Sequence, residues 1–254
     1  MKTTITSPHN DLIKSTTKLH NARTRAELRR FLVEGRRACE PFFASRFPLA
    51  QLFVTEEQSE WAQNLATDSN KIYLVSGRVM ARMSSSTTPS GILAIFDIPD
   101  QGDPEELLRP GLVLANLNDP GNMGTLIRTA TALGVAIVRI GGVDPFNQKV
   151  IQASAGTIAH ARLIDMTWEQ LTAAAPKRQL VMTALVASGG TDLAALSREQ
   201  KRLLVVGNEA HGLPIDWLNA CQERATIAMP GNAESLNAAV AGSIALYLTY
   251  PWER

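Results

Sequence analysis

The chain has 254 residues, 45% of them hydrophobic and 19% charged, with a formal net charge of +1 at pH 7. That length supplies one large domain or two ordinary ones, and no run approaches the roughly 18 to 20 uncharged apolar residues that a membrane span needs. The opening MKTTITSPHN lacks an apolar signal core, so the expected address is the cytoplasm, and Cys39 and Cys221 stand far apart without Cys or His at metal-ligand spacing, which predicts neither a disulfide framework nor a metal site.

The small net charge conceals an asymmetry. Residues 1–40 hold nine Lys/Arg against four Asp/Glu, and the remainder holds sixteen against twenty. A basic front suits a polyanionic partner, and it suits equally a solvated charged helix. In chain order, the pattern predicts a helix near 9–20, a strand at FLVEG (31–35), a helix over 36–44, and strands at QLFVT (51–55), KIYLV (71–75) and GILAIFD (91–97), with the polar loop SSSTTPS (84–90) before the last. These elements make a small α/β domain over 1–97. IPDQGDPEELLRPG (98–111) is rich in Pro, Gly and charge without apolar periodicity and reads as a linker through 110.

From 111 to 254 the alternation strengthens, with apolar strands at 112–117, 135–140, 180–186, 203–206 and 225–229 separated by helices. Continuous apolar strands between helices predict a parallel sheet covered on both faces, with ligands beyond the carboxyl ends of the strands. Three loops that follow strands carry the candidate chemistry. NDPGNMGTLIRTATALG (118–134) opens a helix with Asn122 as an N-cap and Gly134 as the residue that ends it, and places Arg128 less than two turns beyond Asn122, where both side chains could serve one cavity. Gly121–Gly124 also fits a GxxG RNA clamp, but that loop joins two helices and this one follows a strand. LLVVGNEAHGLP (203–214) ends a buried strand in Gly207, Asn208 and Glu209, with Gly212 closing the loop; a plain turn is its blander reading. IAMPGNAESLNAAVAGSIALYL (227–248) runs through a Pro-Gly turn to Ser235 as N-cap of a slim helix, with Asn237 in its first turn. Neither GxGxxG nor GxxxxGK[ST] is present, which removes the usual support for dinucleotide or nucleoside triphosphate binding.

Taken together, N-x-G-x-x-x-R at 122–128, G-N-E-x-x-G at 207–212 and S-L-N-x-x-x-A at 235–241 resemble the ordered motifs of the SpoU (TrmH-like) RNA 2′-O-ribose methyltransferases of the SPOUT class, over about 110–250. Residues 7–40 resemble the start of the substrate-binding domain that often precedes this catalytic domain. Ala228 departs from the pattern, since many relatives have proline there. The resemblance implies a small ribosomal-protein L30e-like α/β domain in front, a parallel-sheet SPOUT domain with a C-terminal trefoil knot behind, and a homodimer. It implies S-adenosylmethionine as cofactor, held near Leu185, Gly207, Ile227, Met229 and Leu236. It also implies Arg128, Asn122, Glu209, Ser235 and Asn237 around the reacting groups.

A methyl sulfonium is already electrophilic, so the protein's task is to align a ribose oxygen and help it lose its proton, without a metal. Arginine keeps its proton above pH ~12, so Arg128 fits charge stabilisation better than the role of base. Lys14, Arg23, Arg25, Arg29, Arg30 and Arg36 are the expected phosphate contacts, with ribosomal RNA favoured over transfer RNA by the front domain. Other readings of the same residues are a SPOUT base methyltransferase, an RNA-binding protein without catalysis, and a nucleotide-binding α/β enzyme without RNA.

Overall fold

The computed structural model describes residues 4–65 and 68–250; the outermost residues of both expected domains, including 1–3 of the N-terminal reading, lie outside the described residues. Two compact units emerge, Met1–Asp100 with Phe146–His160, and Gln101–Pro145 with Ala161–Arg254. No helix among the described residues is long and apolar enough to cross a membrane.

The first unit is built on a four-stranded mixed sheet in the order β1-β4-β2-β3, formed by β1 (Arg30–Glu34), β2 (Leu49–Val54), β3 (Ile72–Leu74) and β4 (Ile92–Asp97). Strand β4 is antiparallel to β1 and β2, and β3 is parallel to β2. A helix absent from the sequence reading, Ala22–Leu28, is capped by the Asn21 side chain and stopped by Arg29 in the left-handed region at φ 49°. Aromatic packing organises this unit. Phe31 contacts Phe42, Phe47 and Phe96 with ring centroids 5.4–5.9 Å apart, and Phe146 stacks on Phe31 at 4.6 Å.

That stack explains why 146–160, expected within the C-terminal domain, groups with the first unit. Burying a phenylalanine contributes about 1.5–3 kcal/mol, and Phe146 is 9% exposed. The segment continues as the helix Gln148–Ala153 and comes so close to the Arg36–Phe43 helix that a Cβ on Gly156 would lie 2.8 Å from the Ala38 carbonyl oxygen.

The second unit carries seven strands, β5 (Gly111–Ala115), β6 (Ala136–Ile140), β7 (Arg162–Asp165), β8 (Val181–Leu185), β9 (Thr191–Asp192), β10 (Arg202–Val206) and β11 (Glu223–Thr226), in the order β7-β6-β5-β10-β8-β11-β9. Every pairing is parallel. The expected parallel sheet is therefore present, with β7 and β9 as additions at its edges. Side chains alternate between faces. Val113, Val138, Met182, Leu203 and Val205 pack towards the Trp168–Lys177 helix, where Trp168 stacks on Trp217 at 4.5 Å. The other face is covered by the Pro120–Ala132 and Ala238–Thr249 helices. Gly242 permits their closeness, since a Cβ there would stand 2.7 Å from Leu126 Cδ2.

The stretch 98–110, expected as a linker, is ordered beyond Asp100. Gln101 Nε2–H donates to the Leu163 carbonyl and its Oε1 accepts from Asp165 N–H, both at 3.2 Å, extending the hydrogen bonding of edge strand β7. Asp103 caps the single helical turn Pro104–Leu107, and Glu105 pairs with Lys177 at 3.0 Å.

Candidate functional site

A cleft of about 510 Å³ opens where the residues following β8, β10 and β11 leave the carboxyl end of the parallel sheet. This size lies within the roughly 300–1,000 Å³ of small-molecule sites, and its place follows the rule for parallel α/β sheets. Leu185, Gly207, Ile227, Met229 and Leu236 line it, together with Asn122, Glu209, Ser235 and Asn237. Nine of the ten residues expected around cofactor and reaction thus share one concavity. Arg128 is the exception.

The loop after β10 is shaped by close backbone approach. A Cβ on Gly207 would lie 2.7 Å from the carbonyl carbon of Gly212, so only glycine lets the loop close. Asn208 and Gly212 exchange backbone hydrogen bonds of 3.0 and 2.9 Å, and the Asn208 side chain accepts from Ala210 and His211 N–H. Its Nδ2–H donates at 3.0 Å to the carbonyl of Asn116, a residue at φ 55° just beyond β5. Asn116 and Asn208 were not among the expected site residues, and an asparagine at a strand end, able to adopt the left-handed region, was the available signal for the first.

Three of the expected polar residues form one directed chain. Asn237 Nδ2–H donates to Asn122 Oδ1 at 2.8 Å, and Asn122 Nδ2–H donates to Glu209 Oε1 at 3.1 Å. Glu209 also accepts from the backbone N–H groups of Asn118 and Asp119 at 3.2 and 3.1 Å. A carboxylate can only accept, so the order of donors fixes both amide orientations. Desolvation works against the charge on Glu209, but the bonds from Asn122 and from the backbone of Glu209, Asn118 and Asp119 together outweigh it and hold the carboxyl below its ordinary value. Glu209 therefore braces the first motif; no contact to Arg128 is formed.

Two caps differ from expectation. Asp119, rather than Asn122, caps the Pro120–Ala132 helix, accepting from Asn122 N–H with Pro120 in the first helical position. This frees the Asn122 side chain for the relay. Asn237, rather than Ser235, caps the Ala238–Thr249 helix, accepting from Ala239 and Val240 N–H, so Ser235 and Leu236 remain loop residues at the cleft. Gly134, at φ 68°, ends the first of these helices as expected: its N–H reaches Thr131 O and that of Val135 reaches Ala130 O, a Schellman pair.

Arg128 is exposed, and it does not line the cleft. Six helical residues advance the azimuth by about 600°, which leaves it about 120° from Asn122. The shared face expected from sequence does not exist.

The expected phosphate contacts in the first unit fall into two groups. Arg25 is 5% exposed, with Nη1–H donating to the carbonyls of Leu19 and His20 at 2.9 Å. It is a structural residue that closes the end of the Asp11–Lys18 helix, and the expectation of an RNA contact is corrected on that ground. Lys14, Arg23, Arg29, Arg30 and Arg36 are exposed and paired with Asp11, Glu27, Asp100, Asp97 and Glu40, respectively. Arg36 also lies 5.6 Å from the centre of the Trp61 ring.

No group of three or more His, Cys, Asp or Glu able to hold a metal occurs among the described residues. Both cysteines are buried; desolvation pushes the Cys39 thiol well up and that of Cys221 to about 11, which makes neither a ready nucleophile.

Comparison with known proteins adds to this geometry. Residues 110–247 match the model of the SpoU rRNA Methylase family, and residues 10–94 match the MRM3-like substrate binding domain. An uncharacterised tRNA/rRNA methyltransferase of Synechocystis is 32% identical over 96% of this chain and 92% of its own length. The 23S rRNA (guanosine(2553)-2′-O)-methyltransferase of Bacillus subtilis is 28% identical over 96% of this chain and 97% of its own. The crystal structure of an AdoMet-bound rRNA methyltransferase from Sinorhizobium meliloti superposes with a TM-score of 0.87, at 25% identity and covering 97% of both chains. With a matched family model over more than half its length, and that model's span holding the cleft and its three motif loops, the chain belongs to the SpoU rRNA methylase family.

Proposed function

We propose that this protein transfers the methyl group of S-adenosylmethionine to a ribose 2′-hydroxyl of ribosomal RNA. The observation that carries this reading is the cleft at the strand ends, in which Asn122, Glu209 and Asn237 are hydrogen-bonded to one another across segments 87 and 115 residues apart. Relatives of similar length that act on 23S rRNA at the 2′-oxygen support the substrate and the reacting atom.

The cleft suits the cofactor. Its apolar walls, Leu185, Ile227, Met229 and Leu236, offer surface to an adenine ring, and Gly207 gives close access to backbone donors and acceptors. When bound, S-adenosylmethionine supplies the electrophilic methyl group. The chain's part is to position. Asn237 and Asn122, oriented through Glu209, hold the loops around the reacting groups, and the Ser235 hydroxyl, on the cleft wall, bonds the ribose. Arg128 acts by charge, stabilising the ribose oxygen as its proton passes to water and the methyl leaves the sulfonium sulfur.

An Arg128 outside its own cleft suits a homodimer, in which it faces a partner's substrate. The Ala238–Thr249 helix, with Val240 46% and Tyr247 63% exposed, is the surface we assign to that dimer. A trefoil knot formed by the segments after β8, an L30e-like first unit, and RNA held by basic residues of that unit belong to the same reading, with ribosomal RNA as substrate in the cytoplasm.

The test is methylation of protein-free ribosomal RNA and, in parallel, of transfer RNA with methyl-labelled cofactor, followed by alkaline hydrolysis. A 2′-O-methyl group removes the nucleophile that cleaves the next phosphate, so the label is expected in an alkali-resistant dinucleotide. Label recovered in methylated bases refutes ribose as the acceptor, and label only in transfer RNA refutes the ribosomal substrate.

A further inference from the structure

The first unit holds a second set of basic residues, at positions the charge count did not single out. Among the described residues of the first unit, Lys18, Arg37, Arg46, Arg78, Arg82 and Lys149 are exposed and show no carboxylate pairing, in contrast to the five exposed cations paired above; Arg46 lies instead over the Phe47 ring, and four of the six, Lys18, Arg37, Arg82 and Lys149, share a further feature. They are scattered over 130 residues of sequence. The fold ties all four to one loop, Ser84–Ser90.

The ties are side-chain hydrogen bonds. His20 Nε2–H donates to the carbonyl of Met83 at 2.7 Å, which sets Lys18 two residues from the base of the loop. The Glu34 carboxylate accepts from Ser84 Oγ–H and from Ser85 N–H, which sets Arg37 three residues from a second anchor. Ser85 Oγ–H donates to Gln148 Oε1, with Lys149 the next residue, and Arg82 itself precedes Ser84 by two. Consecutive Cα atoms lie 3.80 Å apart, so each cation begins within roughly 12 Å of a loop anchor. The loop adds exposed hydroxyls at Ser85, Ser86, Thr87, Thr88 and Ser90. Its seat is incompletely closed, since Gln148 Nε2 is buried without a hydrogen-bond partner.

Cations without a counter-ion, gathered around a loop of small hydroxyl side chains, match a polyanion whose charges are spaced along a chain and whose oxygens accept hydrogen bonds. A cation already paired with a carboxylate must first surrender that partner, so it contributes less net attraction. The Glu34 carboxylate at the junction is occupied by Ser84 and Ser85. We propose that the Ser84–Ser90 loop, with Lys18, Arg37, Arg82 and Lys149 around it, is the surface through which the first unit grips the phosphate backbone of RNA. This assignment rests on the RNA-methylation reading and adds to it the place where the substrate is held.

The test compares the full chain with two charge-matched variants: Lys18→Gln/Arg37→Gln/Arg82→Gln/Lys149→Gln, and Lys14→Gln/Arg23→Gln/Arg30→Gln/Arg36→Gln. Binding of protein-free 23S ribosomal RNA is measured between 50 and 200 mM salt. Four lost phosphate contacts lower the slope of log K against log salt by about 3, so the affinity ratio between the unmodified chain and the first variant shrinks by about 60-fold across that range. The second variant is expected to change the slope by less than about 1. Cofactor affinity and melting temperature, which report the fold, are expected to stay unchanged in both. A slope change in the second variant equal to or larger than that in the first overturns the assignment. An unmodified chain with no salt-dependent RNA binding overturns the RNA reading itself.

Discussion

Glu209 is the brace of the cleft, and replacing it with glutamine isolates that role. The amide keeps the size of the carboxylate but offers one acceptor in place of two. If its oxygen takes the place of Oε1, it retains the bonds from Asp119 N–H and Asn122 Nδ2–H, and its NH₂ then faces the Asn118 N–H that Oε2 had accepted. A lost hydrogen bond to a charged group costs about 1.5–3 kcal/mol when buried, and solvent around this largely exposed side chain reduces that to about 1 kcal/mol. For a chain of this length, that lowers the melting temperature by about 2–4 °C. Because the carboxyl's folded value is depressed, its contribution is present above the ordinary value of unfolded glutamate, near 4.3, and is lost as pH falls through the folded value. The gap between Glu209 and Glu209→Gln chains, followed by urea denaturation, is therefore expected at pH 7 and should close on acidification below about pH 4. Cofactor affinity should weaken by up to about fivefold, the equivalent of the same energy, because the 207–212 loop lines the cleft. A variant with unchanged stability and cofactor affinity, but with turnover abolished, would refute the brace and make Glu209 a reactant.

Arg128→Ala should retain near-normal cofactor affinity by calorimetry, since Arg128 lies outside the cleft, while methyl transfer falls by at least about a hundredfold. Arg128→Lys should be nearly as impaired, because a point charge does not replace the planar fork; near-full activity would leave charge alone as the requirement. Gly207→Ala forces a methyl group against the Gly212 backbone and should cost about 1–3 kcal/mol together with cofactor binding; a fully stable, cofactor-competent variant would show that the loop has room to yield. Phe146→Ala should cost about 3–5 kcal/mol in denaturant unfolding, as expected for a buried aromatic in the phenylalanine cluster, and a loss below about 1 kcal/mol would exclude the segment from that core.

Much of the site was legible because its chemistry is written locally. Gly207, Glu209 and Asn237 each follow a strand whose apolar run announces it, and a parallel sheet gathers such loops at one end. What failed was direction and burial. Asp119 before Pro120 carries the ordinary signature of a cap followed by a first helical residue, yet Asn122 drew the assignment because it stood in the motif. Among Ser235 and Asn237, either could cap, and only the docked helix decides. Arg25 lies in a basic run, and a count of charges has no knowledge of which side chain turns inward. The grouping of 146–160 did leave a trace: all seven phenylalanines of the chain lie in the first unit, and Phe146 is the one beyond residue 97.

The directed relay from Asn237 through Asn122 to Glu209 has a consequence for the order in which the protein becomes competent. Its links close loops of 115 and 87 residues, and the last to be synthesised belongs to the C-terminal helix. The sheet's strands can pair before that helix docks, but the pocket's polar wall cannot be complete until it does. Ligand that binds only the finished pocket stabilises the docked state by mass action. Backbone amides of Ala238–Thr249 should then be among those whose hydrogen exchange slows most when cofactor is added, even those far from any atom the cofactor touches.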